Sequence, residues 1–295
     1  MGSRPADVPE LELVFEAKLD RVLPGGGSPR GEASGVLARD QELLVIFDDS
    51  TQIGVVADIR DPLRNSVVEP NPLIAQGGSL GVGYEDLARD PVERRIYLLV
   101  EAALGLGRLL PRIEVVDDQF VRMSEAFLDF PLEAENKGME GLTFARRLGQ
   151  VFLLCMCEGN LCRGGVEGRR PGGGRIQVFR EEGGAWLHDG TIRLPSDLWF
   201  IDYSSLALRG DRLVVVSQQS SAIWVGTFSS SEWTFTDGGQ AFEFPRAPDG
   251  TMAYGTAEGV TWINDDQLAV VSDRAPVTIP EWRAKDRSLH IFTFG

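Results

Sequence analysis

The chain has 295 residues, 43% hydrophobic and 25% charged, which is enough to bury a core and ordinary for a water-soluble globular protein. Its 44 acidic against 29 basic residues leave a net charge of −15, which argues against a nucleic-acid partner and makes cations its natural company. No apolar run approaches the roughly 18 residues that a membrane span needs, so no membrane partner is expected.

The opening "MGSRPADVPE" lacks the apolar segment of a secretory signal and is read as a loose tail over residues 1–10. "LELVFEAKL", residues 11–19, reads as a strand. Five segments with one grammar follow: "EASGVLARDQELLVIFDD" from Glu32, "GYEDLARDPVERRIYLLVE" from Gly83, "GMEGLTFARRLGQVFLLCMCE" from Gly138, "DYSSLALRGDRLVVVSQQ" from Asp202 and "TAEGVTWINDDQLAVVSD" from Thr256. Each begins with a serine or glutamate beside a small or acidic residue. A short apolar stretch follows, then a polar turn, then a run of Val, Leu and Ile that ends in acidic or amide residues. The anchors are Ser34, Glu85, Glu140, Ser204 and Glu258, spaced by 51, 55, 64 and 54 residues.

Short runs rich in β-branched residues and bounded by turns are strands. A third strand is expected in each unit, at "IGVVADI", "RIEVVDD", "RIQVFRE", "AIWVGTF" and "SLHIFTF", and an outer one in most, such as "EWTFTD" at 232–237. Four short strands per repeat make a propeller blade, and five repeats make an all-β, five-bladed propeller. The last unit ends one strand short, and residues 11–19 supply the missing one, closing the ring and removing its open edges. One domain is therefore expected over residues 11–295.

In such a ring the first strand of each blade lines the channel and the second returns beside it. Two columns then meet at one mouth. The first holds the five anchors. The second holds Asp48 and Asp49, Glu101, Glu158, Gln218 and Gln219, and Asp273. Carboxylates gathered on one axis repel and raise one another's pKa values, so they call for a cation or protons. Calcium, which takes six to eight oxygens in flexible geometry, suits such a ring. Zinc does not: His188 and His290 lie far from the anchors. A solvated glutamate at a strand end is the plainer alternative for any single anchor. Gly35, Gly141 and Gly259 are read as sites of a bulge or close backbone approach.

The loops after the second strands belong to the same face. They carry Arg108 and Arg112, then Arg163, Arg169 and Arg170 in "GNLCRGGVEGRRPGGG", then Arg274, Arg283, Lys285 and Arg287. Arginines above a metal suit a phosphate or carboxylate, and Arg108, Arg163, Arg169, Arg170 and Arg274 are the candidates to hold one. Arginines kept for solubility are the alternative. The glycine-rich stretch lacks the phosphate-loop pattern. Glu140 and Glu158 are the candidate general bases, with the metal as Lewis acid. A serine–histidine–acid triad needs a histidine beside Ser34 or Ser204, and none is expected there. Cys155, Cys157 and Cys162 cannot all pair with one another and are expected as thiols in a reducing, cytoplasmic setting. Trp282 falls in a mouth loop, where it can stack on a ligand.

Taken together, "EASGVL", "DDST", "YEDLA", "NKGMEGLTF", "DYSSLALRGDRLVVVSQQSSAIW" and "AEGVTWINDDQLAVVSD" resemble the SdiA-regulated and phytase-like (esterase-like) propeller families, from about Glu32 to Phe294. The resemblance implies a β-propeller with calcium at its acidic centre, and in some relatives hydrolysis of phosphate esters. The layout is more loosely similar to the calcium-dependent, apyrase-type nucleotidases. By that analogy the five anchors are the channel ligands. Two features depart from the pattern: Glu85-Asp86 stands where Glu-Gly is expected, and the arginine-rich loop at 159–174 is long. The expected partner is an anionic small molecule, and the expected function is a calcium-dependent hydrolase. The alternative is a non-catalytic propeller that binds a ligand or protein around a structural calcium.

Overall fold

The β-branched runs form strands because each buries alternate side chains against the neighbouring blade while its backbone is satisfied within its own sheet. A computed structural model describes residues 4–24, 31–63, 73–75, 83–105, 107–133 and 138–295. Strand β1 (Leu11–Lys18) opens it. Blade 1 holds β2 (Ala33–Arg39), β3 (Glu42–Phe47), β4 (Ser50–Val56) and β5 (Leu73–Ala75). Blade 2 holds β6 (Leu87–Asp90), β7 (Arg95–Gly105), β8 (Arg108–Asp117) and β9 (Arg122–Phe127). Blade 3 holds β10 (Met139–Arg147), β11 (Gln150–Cys157), β12 (Arg175–Glu182) and β13 (Ala185–Arg193). Blade 4 holds β14 (Ser205–Arg209), β15 (Arg212–Ser217), β16 (Ala222–Thr227) and β17 (Gln240–Glu243). Blade 5 holds β18 (Ala257–Trp262), β19 (Gln267–Ser272) and β20 (Ser288–Phe294), and takes β1 as its fourth strand.

The protein is thus an all-β propeller of five four-stranded blades, closed by the N-terminal strand. β1 pairs antiparallel with β20, Leu11 opposite Phe294 and Lys18 opposite Ser288, so the two ends of the described chain lock the ring together. Residues 4–10, read as a tail, run along blade 4. The Arg4 guanidinium pairs with the buried carboxylate of Glu243, and Glu243 N–H donates to Pro9 O at 2.9 Å.

An apolar cluster fills each blade interface. Between blades 1 and 2, for example, Leu44, Ile46 and Ile53 meet Leu87, Ile96 and Leu98. Between blades 4 and 5, Val214, Val216 and Ile223 meet Val260, Leu268 and Val270. The outer strand of blade 4 falls at 240–243 instead of 232–237. Trp233 and Phe235 have another use: Phe235 stacks on Phe228 at 4.5 Å between ring centroids, Trp233 meets Phe228 edge-on, and "EWTFTD" becomes an aromatic turn with a single bridge at Phe228–Phe235.

Candidate functional site

The anchors are set by a repeated backbone irregularity. The pairing of β2 with β3 slips between Ala33 and Gly35, that of β10 with β11 between Met139 and Gly141, and that of β18 with β19 between Ala257 and Gly259. Ser34, Glu140 and Glu258 are the residues inside these bulges, and a bulge re-aims the side chain it carries. The following glycine is needed for close approach. A Cβ on Gly259 would lie 2.7 Å from Gly35 Cα of the next blade, a distance real side chains do not adopt. Glu85 and Ser204 occupy the same position just before β6 and β14.

All five anchors line one cavity of about 280 Å³ on the propeller axis. From the second column Asp48, Glu158, Gln218 and Asp273 join them. Asp49 and Gln219 are not among the lining residues, and the side chain of Glu101 lies outside the described residues, as do Asn136 and Lys137 of the most specific motif. The sequence reading missed Ala33, Asp202 and Tyr203. Among the described residues, seven carboxylates therefore face the cavity and no cationic side chain lines it.

Ser34 and Ser204 are tied down: their hydroxyls donate to Tyr84 O and, at 3.0 Å, to Ala257 O. The Gln218 amide donates to Glu258. Asp202 accepts from Ser217 Oγ at 2.5 Å and from Gln219 N–H at 3.0 Å. Burial, reinforced by Asp273, Asp202, Glu85 and Asp48, pushes the Glu258 carboxyl well above the usual range. Burial and neighbouring carboxylates, Asp48 first, push Asp273 up to about 7, against one backbone donor. Burial with Glu158 nearby pushes Asp202 up to about 6 although Ser217 and Gln219 donate to it.

At the rim, carboxylate oxygens of Glu32, Asp48 and Asp49 lie within 4.8 Å of one another. Oδ1 of Asp49 is buried without a hydrogen-bond partner. Asp48 is shared between this rim group and the cavity.

Asp86 is the residue whose identity departs from the Glu-Gly pattern. It follows Glu85, is 1% exposed, and extends from blade 2 across the channel. It accepts from Leu87 N–H at 2.8 Å, from Leu142 N–H of blade 3 at 2.9 Å and from Ser205 Oγ of blade 4 at 2.8 Å. Ser205 Oγ in turn accepts Val260 N–H of blade 5 at 3.2 Å. Asp86 Oδ1 also sits 3.0 Å from where a Cβ on Gly35 of blade 1 would be. Burial raises its pKa well above the usual carboxylate value, and these donors only partly offset that rise.

None of the five candidate arginines lines the cavity. Arg108 pairs with Asp129 at 2.7 Å on the surface. Arg163 pairs with Glu167, four residues along the same loop. Arg169 and Arg170 are exposed at the end of that loop's short helix, Gly165–Gly168. Arg274 turns toward Glu32, 3.8 Å away, and lines a separate pocket. Trp282 packs on Gly255, whose Cβ position lies 2.3 Å from the indole.

The expectation of three thiols is wrong. Residues 160–162 fold back after β11, bringing Cys162 to Cys157 with a Cα–Cα distance of 5.1 Å and closing a disulfide around Glu158. Cys155 alone is free, and it is buried. An odd count leaves one thiol without excluding one bridge, so the cysteines give no support to a reducing compartment. Among the described residues, no helix is long and apolar enough to cross a membrane.

Neither histidine lines the cavity, yet a serine–histidine–carboxylate relay exists in blade 5. Ser272 Oγ lies 3.0 Å from His290 Nε2, and His290 Nδ1 lies 3.1 Å from Glu16. Ser272 and His290 are fully buried, which denies a substrate the approach an attacking serine requires. This relay is a polar tie between β19, β20 and β1.

No family model and no curated protein matches the sequence. Solved structures do. The glutaminyl cyclase of Myxococcus xanthus superposes with a TM-score of 0.55 at 11% identity, over 98% of this chain and 100% of its own. A calcium-binding protein, regucalcin, from Agrobacterium tumefaciens strain C58 gives 0.52 at 11% identity, over 98% and 97%. CoXyl43, a β-xylosidase/α-arabinofuranosidase from a compost microbial metagenome, gives 0.52 at 9% identity, over 96% and 94%. Likeness at these identities is a likeness of fold.

Proposed function

We propose that this protein is a calcium-binding propeller whose axial mouth holds one hard divalent cation and, through it, an anionic small molecule. The observation that carries the reading is the charge of the mouth: among the described residues, seven carboxylates line one cavity and no cationic side chain does. Like charges in a partly buried site hold protons or a counter-ion. The donor set is oxygen throughout, from carboxylates and the hydroxyls of Ser34 and Ser204, with no histidine or cysteine. That set fits calcium and not zinc. Glu85, Glu140, Glu258 and Asp273 would hold the ion, with Asp48 shared with the rim. The calcium-binding character of regucalcin, a propeller of the same fold, agrees with this.

The finer reading is hydrolysis of a phosphate-bearing molecule, as the resemblance to the SdiA-regulated and phytase-like propellers suggests. Bound at the mouth, the cation would supply Lewis-acid polarisation of the phosphoryl group. Glu158, held by the Cys157–Cys162 loop, or Glu140, held in its bulge, would accept a proton from the attacking water. Gln218 and Asp202 would orient the groups around them. One observation favours the second reading, a non-catalytic binder with a structural calcium: none of the five candidate arginines reaches the cavity, so none of them shares the charge of a phosphate bound there.

The test is metal content after desalting, with melting curves in calcium and in chelator. One tightly held calcium is expected. Chelation should cost about 3–4 kcal/mol when calcium was present at several hundred times its Kd. No bound metal and no change in melting would reject the cation site. If calcium binds, phosphatase and esterase screens divide the two readings. An activity that survives both chelator and Glu140→Gln would overturn the hydrolytic mechanism, and no turnover would leave the binder.

A further inference from the structure

A second pocket on the mouth face has the opposite charge. The loop between β19 and β20 and the end of β1 enclose about 420 Å³, lined by Lys18, Arg274, Arg283 and Arg287 with Ala275, Val277 and Asp286. Four cations against one carboxylate is a marked segregation in a chain of net charge −15.

The base of this pocket is built. Asp286 is 4% exposed. It accepts Ala275 N–H at 3.1 Å through Oδ2 and the Lys18 ammonium at 2.9 Å through Oδ1. Lys18 also donates to Arg283 O at 2.9 Å. Lys18 and Asp286 are thereby spent on each other and on fixing the loop. Arg287 is pinned by its backbone, its N–H donating to Asp273 O at 3.0 Å and its carbonyl accepting Leu19 N–H at 2.8 Å. It holds φ at +44°, a conformation most residues avoid. Its side-chain stem lies along Gly31, where a Cβ would come within 3.1 Å.

The three guanidinium groups are not spent in this way. Arg274 and Arg287 stand 3.8 Å from Glu32 and Asp286, beyond the 2.7–2.9 Å of a charge-assisted hydrogen bond. Arg283 is exposed, and no ion pair of it occurs among the described residues. Elsewhere Arg89, Arg112, Arg146 and Arg209 each close on a carboxylate within 3.1 Å. With acids in such excess, three arginines turned together toward one hollow are placed for an external anion.

We infer that this pocket binds a phosphate group as its dianion, either inorganic phosphate or a phosphate monoester. A tetrahedral oxyanion with several terminal oxygens can satisfy three guanidinium groups at once, where a single carboxylate engages one fork. The volume falls in the range of small-molecule sites. The pocket stands apart from the axial cavity, and the inference does not need the cation.

The test is calorimetric titration of the chelator-treated protein with inorganic phosphate, with glycerol phosphate and with acetate as the carboxylate control. Saturable binding of one or both phosphates is expected, with acetate at least tenfold weaker. The double variant Arg283→Ala/Arg287→Ala should lose at least tenfold in affinity, while Arg209→Ala, an exposed arginine elsewhere, should not change it. Both substitutions in the double variant are at exposed side chains, and an unchanged melting temperature in chelator confirms the fold. Ester binding equal to or tighter than inorganic phosphate assigns a phosphorylated small molecule. Binding of inorganic phosphate with the ester excluded assigns the free ion. No saturable binding of either, equal binding of acetate, or full affinity in the double variant would overturn the inference. Because calcium is absent throughout, such a failure leaves the axial cation reading untouched.

Discussion

Asp86 and Glu258 are both largely buried carboxylates on the propeller axis, and the fold treats them differently. Asp86 is met by N–H groups of Leu87 and Leu142 and by the Ser205 hydroxyl, itself capped by Val260 N–H. Every partner there donates, which opposes the rise in pKa that burial imposes on Asp86. Glu258 has the Gln218 amide and faces Asp273, Asp202, Glu85 and Asp48. The same chain that satisfies one buried carboxylate with donors from successive blades leaves another on the same axis among like charges. The first arrangement is architecture, and the second is a site whose compensation comes from solution.

The largest expected effect breaks the architectural half of this comparison. Asp86→Ala strands two backbone N–H groups and the Ser205 hydroxyl in a buried channel. Each unsatisfied group costs about 1–3 kcal/mol. A loss of about 4 kcal/mol is expected, or roughly 10 °C in melting temperature for a chain of this size. The loss should be equal in calcium and in chelator. A loss confined to the calcium-loaded protein would show that Asp86 acts on the cation site instead.

The second effect has the opposite sign. Glu258→Gln removes one charge from the mouth and keeps its shape. In chelator the variant should be more stable than the parent by on the order of 1–2 kcal/mol, since a buried carboxylate among like charges is penalised. Its calcium affinity should fall at least tenfold by calorimetry, the equivalent of about 1.4 kcal/mol. A variant less stable in chelator, with calcium affinity intact, would make Glu258 an ordinary packing residue and erase the contrast with Asp86.

How much of this was legible follows from which signals are periodic. The strands, the blades and the closure by residues 11–19 were, because alternation and β-branched runs recur at similar intervals of 51 to 64 residues. The anchors were legible because a serine or glutamate before a small residue recurs where the bulges fall, and in three units the glycine that permits the close approach follows directly. Asp86 was visible only as a departure from Glu-Gly. Its meaning lies in partners from other blades, which no local pattern encodes. Asp202 stands two residues before the Ser204 anchor and reaches the cavity through the path of the loop before β14. The place of the arginines was hidden for the same reason: a loop's sequence gives its charge and not its direction. Arg163 therefore meets Glu167, while Arg274, Arg283 and Arg287 gather beside blade 5. The Cys157–Cys162 bridge depends on a fold-back turn with Leu161 and Cys162 at φ of +60° and +54°, which composition does not foretell.

The smallest effect is in pH, and it tests the same contrast without mutation. Asp273 and Asp202, at about 7 and about 6, sit above the ordinary aspartate value of 3.8 because burial and neighbouring carboxylates penalise their charge. Between about pH 4 and 7 the folded protein therefore holds protons that the unfolded chain has released, so metal-free stability falls as pH rises through this window. Glu16 works the other way. Burial raises its pKa, but hydrogen bonds from His290 and Lys285 outweigh that and bring it to about 2, so its contribution is complete above its ordinary value of 4.5 and is lost only in acid. Glu16 adds no slope above pH 5, and His290, whose pKa burial lowers, opposes the mouth only below its ordinary 6.5, so from pH 6.5 to 7.5 the mouth titrates without opposition. In chelator the melting temperature should drop across this range by roughly one to three degrees, the equivalent of about 0.5–1 kcal/mol after allowing for solvent near these groups. In calcium the carboxylates are already ionised in the folded state, so the drop should shrink or vanish, and the stabilisation by calcium should grow with pH. A metal-free melting curve that is flat or rising from pH 6.5 to 7.5 would mean that the mouth carboxylates are compensated within the fold and that the axis needs no cation.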